Sequence, residues 1–210
     1  MMKYNAVLLD AFGTILHIKS GTHPYRQLLK EGRRNGRQPQ PNDAHLLMTF
    51  NGRLSQAAEH LGIDIAPSRL SLIEEMLEAE VSSIEAYPDA LEAIALLQHH
   101  ERLVAVCSNL AFPYGRAVTK LFPTLNAYGF SFQVGVTKPD PRMYLATCEK
   151  LGVIPGSTFG ENRVVMTGDS MRCDCHGPRT VGITGIHLDR SKATSMRDLM
   201  VFARQVLSES

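Results

Sequence analysis

The sequence predicts an α/β fold in which a parallel sheet with crossover helices is interrupted by an inserted group of helices. Three patterns predict it: apolar runs that alternate with helical segments, a long helical stretch before them, and polar residues directly after several apolar runs. Alternation favours a parallel sheet because each crossover helix returns the chain to the same edge. Polar groups at that edge indicate a site in the crevice outside the strand ends.

The first predicted strand carries an aspartate to its C-terminal end. Residues 5–9 read Asn-Ala-Val-Leu-Leu, and the segment Asp-Ala-Phe-Gly-Thr follows them at residues 10–14. Gly13 allows a tight turn, and the hydroxyl of Thr14 can bond an anionic ligand. We therefore take Asp10 as the candidate nucleophile, although aspartate near glycine is also common in ordinary turns.

The stretch from about residue 23 to residue 86 has a helical pattern throughout. It predicts a first helix over residues 24–31, a second from residue 42 or 43 to about residue 61, and a third that begins at residue 67. An asparagine or aspartate before the second helix and a glycine after it are typical helix caps. Apolar residues at helical spacing support the third.

Positively charged residues of this stretch are candidate substrate contacts. Arg26 follows the first strand closely enough to face the site, and it is the best candidate there. Arg33, Arg34 and Arg37 form the strongest local charge cluster. That cluster can be interpreted as an anion-recruiting rim or, more simply, as a solvated loop.

After residue 87 the chain alternates between helices and strands again. We predict a helix at 89–100, a strand at 103–107, a helix at 114–121, a strand at 130–134, a helix at 141–151 and a strand at 164–167. The chain is therefore expected to form a Rossmann-like core from residues 1–16 and 88–210. A helical cap at about residues 17–87 interrupts it.

Three further sets of polar residues occur near predicted strand ends. Ser108 and Asn109 follow the strand at 103–107, Lys138 precedes a proline, and Asp169 and Asp174 follow the strand at 164–167. Each set alone has an ordinary interpretation, as a helix cap, a loop lysine or turn residues. Their joint occurrence in this order favours a shared site.

These four motifs together resemble the haloacid dehalogenase (HAD) superfamily of hydrolases. The resemblance spans nearly the whole chain, with Asp10 and Thr14 in motif one, Ser108 in motif two, Lys138 in motif three, and an acid pair in motif four. It implies that the inserted helices are a type-one cap. Such a cap closes over the strand ends, excludes water and supplies substrate contacts.

The resemblance also implies a magnesium site for phosphoryl transfer. Three neighbouring carboxylates repel one another unless a cation is present, and Mg²⁺ prefers oxygen ligands. The implied ligands are Asp10, Asp169 and the backbone carbonyl of Phe12, with Asp174 bound directly or through water. Attack by the first aspartate on phosphorus would give an aspartyl-phosphate that water hydrolyses.

The remaining motif residues have implied roles around that reaction. Lys138 would offset negative charge and orient the nucleophile, whereas Ser108 and the amides after it, beginning with Asn109, would hold the phosphoryl group. Backbone donors at a helix start often bind phosphate in this way. The expected partner is a small phosphorylated molecule.

Phe12 departs from the phosphatase pattern. Phosphatases of this superfamily usually carry a second aspartate there, which protonates the leaving group, and a phenyl ring cannot transfer protons. An aromatic residue at this position resembles the metal-independent 2-haloacid dehalogenases. The favoured hypothesis is a magnesium-dependent phosphatase suited to a good leaving group. The alternatives are a 2-haloacid dehalogenase and a catalytically weak protein that binds a ligand or partner.

Composition agrees with a compact enzyme. The chain has 210 residues, is 44% hydrophobic and carries a net charge of +1, which argues against nucleic-acid binding. No segment reads as a signal peptide, and no apolar run approaches the ~18 residues of a membrane span. We therefore expect a cytoplasmic protein without a membrane partner. Four cysteines fit reduced thiols, and no second Cys/His pair supports a zinc site around residues 173–176.

Overall fold

A central sheet and the helices around it make up the computed structural model, which describes residues 4–156, 163–191 and 196–208. The strands are β1 (Ala6–Leu9), β2 (Leu16–Ile18), β3 (Ile84–Ala86), β4 (Leu103–Ser108), β5 (Ala127–Phe130), β6 (Val164–Gly168) and β7 (Thr184–His187). The α-helices are α1 (Pro24–Arg34), α2 (Asp43–Thr49), α3 (Leu54–His60), α4 (Pro67–Ser82), α5 (Pro88–His99), α6 (Phe112–Leu121), α7 (Ser131–Val134), α8 (Pro141–Lys150), α9 (Gly177–Arg179) and α10 (Leu199–Ser208). A π-helix spans Met171–His176.

The main sheet is parallel and has five strands in the order β5-β4-β1-β6-β7. In its centre Leu9 of β1 lies opposite Val106 of β4 and Thr167 of β6. The strands therefore end at one edge, and the residues that follow them meet there. This arrangement confirms the predicted α/β class and the Rossmann-like sheet.

Helices cover both faces of the sheet. On one face Val7 and Val106 belong to the apolar cluster that includes Phe202 of α10, and α10 also packs on α5. On the other face Leu8 and Met166 pack with Tyr144 of α8. Burial on both faces explains why the central strands are continuous apolar runs rather than alternating ones.

A short antiparallel ribbon joins the inserted helices to the sheet. This ribbon was not predicted from the sequence. In this ribbon Leu16 of β2 pairs with Ala86 of β3, and Ile18 pairs with Ile84. The chain leaves the sheet along one strand of the ribbon and returns along the other, with α1–α4 in between. The division into a core of residues 1–16 and 88–210 and a cap of residues 17–87 stays a prediction.

The second inserted helix is shorter than predicted. Residues 42–61 form two helices, α2 and α3, because Phe50 is extended at φ −81° and ψ 121°. The ring of Phe50 stacks on His60 with centroids 4.8 Å apart, which folds the intervening loop back onto α3. Gln56 then accepts a hydrogen bond from the backbone N–H of Arg53 at 2.9 Å and satisfies a donor at the start of α3.

The predicted strand at 130–134 is wrong. The strand is β5, at 127–130, and residues 131–134 form the single turn α7. The Ser131 hydroxyl bonds the neighbouring loop, since it accepts from the Leu110 N–H at 3.0 Å and donates to the Met48 carbonyl at 2.6 Å. Gly135, in the left-handed conformation at φ 81°, ends the turn.

The arginine-rich stretch of the insertion is mostly engaged in ion pairs. Arg34 contacts Glu31 at 2.8 Å, and Arg37 contacts Asp43 at 2.6 Å with both side chains largely buried. The hydrogen bond from Arg37 lowers the pKa of the Asp43 carboxyl. Arg34 and Arg37 therefore stabilise the loop between α1 and α2, most of whose residues are exposed, as expected for a solvated loop, and an anion-recruiting role stays a prediction.

The C-terminal part contains one strand and one helix that were not predicted from the sequence. Strand β7 extends the sheet beside β6, and α10 packs on α5. The two cysteines of the π-helix point to different carbonyls, Cys173 to that of Lys138 at 3.5 Å and Cys175 to that of Gly185 at 3.3 Å. In the described parts of the chain no helix has both the length and the apolar character to cross a bilayer.

Candidate active site

The four predicted motifs meet at the carboxyl edge of the sheet. Asp10 directly follows β1, Ser108 ends β4, Lys138 lies between α7 and α8, and Asp174 lies on the π-helix. Their side chains are buried or nearly so, with Asp10 8% exposed and Lys138 4% exposed. The parallel register places them together, because β4 and β6 flank β1.

The carboxylate of Asp10 is oriented through one of its oxygens. Its Oδ1 accepts hydrogen bonds from Ser108 Oγ at 3.0 Å and from Lys138 Nζ at 2.7 Å. Its Oδ2 has only a long contact with Thr14 Oγ1, at 3.5 Å. The second oxygen is therefore available to a ligand or to reaction.

Lys138 holds two carboxylates at once. Its ammonium contacts Asp10 at 2.7 Å and Asp174 at 2.6 Å. Burial alone lowers the pKa of Lys138, but the two carboxylates raise it more strongly, so this lysine is charged. The side chain thus brings a fixed positive charge to the bottom of the site.

Asn109 positions the lysine segment. Its side-chain oxygen accepts from the Lys138 backbone N–H at 2.7 Å, and its side-chain amide donates to the Lys138 carbonyl at 3.0 Å. The Leu110 N–H is bonded to Ser131, and α6 begins only at Phe112. The side chain of Asn109 is therefore occupied by the protein, and its predicted contact with substrate stays a prediction.

The candidate nucleophile is one of three neighbouring carboxylates. Asp10, Asp169 and Asp174 each offer an oxygen, and these oxygens lie within 4.8 Å of one another. Among the described residues Lys138 is the ammonium in contact with the cluster, which therefore has three negative charges and one positive charge when all three carboxylates are ionised. Burial raises the pKa of Asp174 to about 6 despite the opposing effect of Lys138, and burial also raises that of Asp169.

Two glycines permit this close approach. Gly13 has φ +80°, and a Cβ there would overlap the carboxylate of Asp169. A Cβ on Gly168 would overlap Asp174 and lie 2.8 Å from the Cβ of Asp10. The sequence therefore needs glycine on both sides of the cluster for steric as well as conformational reasons.

A cavity of about 400 Å³ has the predicted substrate contact Arg26 in its wall, and its lining does not include Asp10, Asp169 or Asp174 themselves. Phe12 and Asn109 also line it, so the cavity reaches the segments that flank Asp10 and Ser108. Arg26 is exposed on α1, and within the described residues no hydrogen bond or ion pair engages its guanidinium. Its proposed contact with substrate remains open to test.

Comparison with known proteins identifies the family. The family model for haloacid dehalogenase-like hydrolases matches residues 4–182, which include all four motifs. The chain belongs to this family. The resemblance inferred from the motifs is therefore confirmed, and the haloacid dehalogenase-like hydrolase is an enzyme of the α/β class. The match does not separate phosphatases from dehalogenases.

One curated relative matches part of the chain. The haloacid dehalogenase-like hydrolase is 31% identical over 86 residues to (S)-2-haloacid dehalogenase 4A of Burkholderia cepacia. That alignment covers 40% of this chain and only 37% of the relative.

Solved structures share the fold at lower identity. A HAD phosphatase from Thermococcus onnurineus has a TM-score of 0.62 at 22% identity, covering 98% of this chain and 99% of that one. A HAD family enzyme from Bacteroides thetaiotaomicron, in complex with magnesium and inorganic phosphate, has a TM-score of 0.60 at 16% identity, covering 91% and 98%. At these identities the likeness supports the fold of the hydrolase.

The sequence analysis did not identify Glu80 and Arg190, because the residues that they contact are distant in the chain. Glu80 on α4 is buried, and Tyr114 on α6 donates to its Oε1 at 2.6 Å. The other oxygen of Glu80 accepts from the backbone N–H groups of Thr22, at 2.5 Å, and His23, at 2.7 Å. Burial alone raises the pKa of Glu80, but these hydrogen bonds lower it below its ordinary value.

The second missed residue is Arg190, which clamps the loop after the candidate nucleophile. Its guanidinium donates twice to the Thr14 carbonyl, at 2.6 and 3.1 Å, and contacts Asp89 at 3.0 Å. It also lies 3.9 Å from the centre of the Tyr87 ring. No local motif marks this arginine, since it follows β7 and lies 176 positions from Thr14.

We expect Arg190→Met to destabilise the hydrolase by about 1.5–3 kcal/mol, the usual contribution of hydrogen bonds that involve a charged group. The change leaves the Thr14 carbonyl without its two side-chain donors, and it leaves the largely buried carboxylate of Asp89 without its ion pair and with the Leu199 N–H at 2.8 Å as its remaining donor among the described residues. Urea denaturation measures the loss. Arg33→Met is the matched control, because Arg33 is exposed and its side chain makes no described hydrogen bond, so an equal loss there would contradict the clamp.

Replacing Lys138 with methionine has a larger expected effect on stability, about 3–5 kcal/mol. The change leaves the carboxylates of Asp10 and Asp174 facing each other without their ammonium. Urea denaturation in EDTA measures it. Adding Asp174→Asn removes one of the opposed charges, so the double variant should recover part of the loss. A double variant no more stable than Lys138→Met would contradict the charge argument.

Proposed function

We propose that this haloacid dehalogenase-like hydrolase is a magnesium-dependent phosphatase that acts on a small organic phosphate through Asp10. The observation that supports the proposal is the cluster of Asp10, Asp169 and Asp174, whose oxygens lie within 4.8 Å of one another. Lys138 offsets only one of their three negative charges. A divalent cation would offset the other two negative charges. A dehalogenase, which attacks carbon without a metal, does not require those charges.

The donor set fits Mg²⁺, which prefers carboxylate and carbonyl oxygens. Asp10, Asp169 and the backbone carbonyl of Phe12 would hold the ion, with Asp174 bound directly or through water. When bound, Mg²⁺ would neutralise charge on the phosphate and on the carboxylates.

The residues around Asp10 suit phosphoryl transfer. Ser108 and Lys138 fix one carboxylate oxygen, at 3.0 and 2.7 Å, which orients the group for attack on phosphorus. The new bond joins the Asp10 oxygen to phosphorus, and the leaving group departs with the electron pair of the bond that breaks. Water then attacks phosphorus, releases inorganic phosphate and regenerates the carboxylate. The hydroxyls of Thr14 and Ser108 and the backbone N–H of Asn109 would bind the phosphoryl oxygens.

Phe12 limits which leaving groups are suitable. No proton donor occupies its position, so the leaving group must depart as an anion. Acyl phosphates and aryl phosphates such as p-nitrophenyl phosphate meet this condition, because carboxylates and nitrophenolate are stable at neutral pH. Simple alkyl phosphates do not.

The proposal is tested by phosphate release from acetyl phosphate and from p-nitrophenyl phosphate, each with Mg²⁺ and with EDTA. We expect release that depends on Mg²⁺ and falls to background in EDTA. Equal rates in both conditions would contradict the metal site. No release from either compound would contradict the phosphatase proposal and leave dehalogenation or ligand binding as the function.

The second candidate function is dehalogenation of a 2-haloacid. Two observations favour it: Phe12 in place of a proton donor, and the relative from Burkholderia cepacia, which is an (S)-2-haloacid dehalogenase. In that reaction Asp10 would attack carbon, and halide would leave without a proton. Chloride release from (S)-2-chloropropionate in EDTA is the test, and the phosphatase proposal expects none.

A further inference from the structure

The cavity beside the cluster is large enough to hold the organic part of a substrate. Its volume of about 400 Å³ lies within the range of about 300–1,000 Å³ for small-molecule sites. Residues of the insertion, such as Leu47 on α2, line it together with Leu110 and Tyr114 of the core. Phe12 and Asn109 line the cavity and lie two and one positions after Asp10 and Ser108 in the chain, so the cavity is near the site although no carboxylate of the cluster lines it.

Three of the six polar side chains in the wall, those of Glu80, Asn109 and Tyr114, are already bonded to the protein. Both carboxylate oxygens of Glu80 accept hydrogen bonds, and its partner Tyr114 donates through its hydroxyl. The side-chain amide of Asn109 is bonded at both ends to the backbone of Lys138. These groups present little unused hydrogen-bonding capacity to a ligand.

The polar side chains of the wall that make no hydrogen bond come from one segment of the chain. His23, Tyr25 and Arg26 are close in sequence at the start of α1, and no hydrogen bond to their side-chain polar atoms occurs among the described residues. Elsewhere the wall is formed by apolar side chains, including Leu29, and by the ring of Phe12, which meets the Tyr114 ring edge-on at 5.7 Å. The cavity wall is therefore mainly apolar, and its unbonded polar side chains come from the start of α1.

We propose that the site selects acyl or aryl phosphates with a compact apolar organic part and at most one further polar group. It discriminates against polyhydroxylated organic parts such as those of sugar phosphates. This inference rests on the proposed function and specifies its substrate class. Phe12 has two consequences that agree: it removes the proton donor, and it places an apolar surface where the leaving group lies.

The lining predicts measurable selectivity. Each methylene that the cavity buries should raise kcat/KM about fourfold, the equivalent of its transfer from water. Each hydroxyl that enters without a partner should lower it about tenfold. A pair of substrates with the same shape and different polarity therefore separates the two effects from size.

The experiment compares kcat/KM for four acyl phosphates with Mg²⁺: acetyl, butyryl, 2-methylbutanoyl and glyceroyl phosphate. The last two have the same shape, but glyceroyl carries two hydroxyls in place of methyl groups. We expect butyryl to exceed acetyl about 16-fold, and 2-methylbutanoyl to exceed glyceroyl about tenfold or more, because the cavity can partner at most one of the two hydroxyls. These substrates share one type of leaving group, so differences report on the organic part.

A filled cavity provides the variant test. Ala44 lines the cavity on α2, so Ala44→Phe should reduce the ratio of 2-methylbutanoyl to acetyl phosphate activity toward one. Ala95→Phe is the matched control, because Ala95 is exposed on α5 outside the lining. The ratio should survive in the control.

The outcomes separate the two proposals. Hydrolysis of acetyl phosphate with no preference along the series, or with a preference for glyceroyl phosphate, would overturn the apolar substrate class and leave the phosphatase intact. A preference that Ala44→Phe does not change would also overturn it, because the selectivity would arise elsewhere. Absence of hydrolysis of all four compounds would overturn the phosphatase and the substrate class together.

Discussion

Replacing Asp10 with asparagine is expected to lower turnover by about 10⁴-fold or more, the scale on which nucleophile removal acts in enzymes that form covalent intermediates. The amide has nearly the same size and can still accept from Ser108 and Lys138 through its oxygen. It lacks the negative charge needed to attack phosphorus or carbon. The measurement is kcat with acetyl phosphate and Mg²⁺, alongside urea denaturation to show that the variant folds.

The matched control for this substitution is Asp64→Asn. Asp64 is exposed in the loop between α3 and α4, and only its backbone carbonyl makes a described hydrogen bond, from Asn35. Its replacement should leave turnover unchanged. If Asp10→Asn retained a rate within tenfold of the native enzyme, Asp10 would not be the nucleophile of either candidate reaction.

Replacing Phe12 with aspartate is expected to increase hydrolysis of simple alkyl phosphates by about 10²–10⁴-fold, the usual contribution of a positioned general acid. Phe12 is partly buried two residues after Asp10 and lines the cavity into which the leaving group would extend. A carboxyl group there could protonate the departing alkoxide. Acyl phosphates need no proton, so their rate should change far less.

Phe12→Asn is the matched variant, because it has the same shape as aspartate without a transferable proton. Both changes remove the phenyl ring from its edge contact with Tyr114, so both should weaken apolar selectivity equally. Only aspartate should increase the rate on alkyl phosphates. Equal rates for the two variants would show that proton donation at this position does not limit the reaction.

The two candidate chemistries differ in what they require of the same geometry. Both use Asp10 oriented by Ser108 and Lys138. The phosphatase proposal assigns Asp169 and Asp174 to a magnesium site, whereas Phe12 in place of a proton donor also fits dehalogenation. The chain combines one feature of each, so metal dependence and leaving-group dependence must be measured separately.

Much of the site follows from local sequence patterns. Asp10, Ser108 and Asp169 each follow an apolar run, and parallel strands bring such positions to a common edge whatever the rest of the chain does. Lys138 is different, because it follows the short helix α7 rather than a strand. Its position in the site was inferred from the resemblance to the family, and its two ion pairs became visible only in three dimensions.

Several elements could not be predicted because nonlocal contacts outweigh local patterns. Residues 130–134 alternate like a strand, yet Ser131 bonds Leu110 and Met48 and turns the chain into α7. The strands β2 and β3 have three residues each and are paired across the whole insertion. Short segments such as these carry too few residues for a periodic pattern to be distinguished.

By itself, the sequence determined the α/β class and the family, and it predicted the candidate nucleophile, the acids and the lysine around it, because each motif is local and the resemblance to the family joins the four motifs. Tertiary structure alone decided the apolar cavity, the pairing of Glu80 with Tyr114, and the clamp of Arg190 on Thr14. These features join residues from separate elements, and their energies depend on burial and distance. The proposed substrate class depends on the cavity, since a ligand contacts residues from several elements of the fold rather than one segment of sequence.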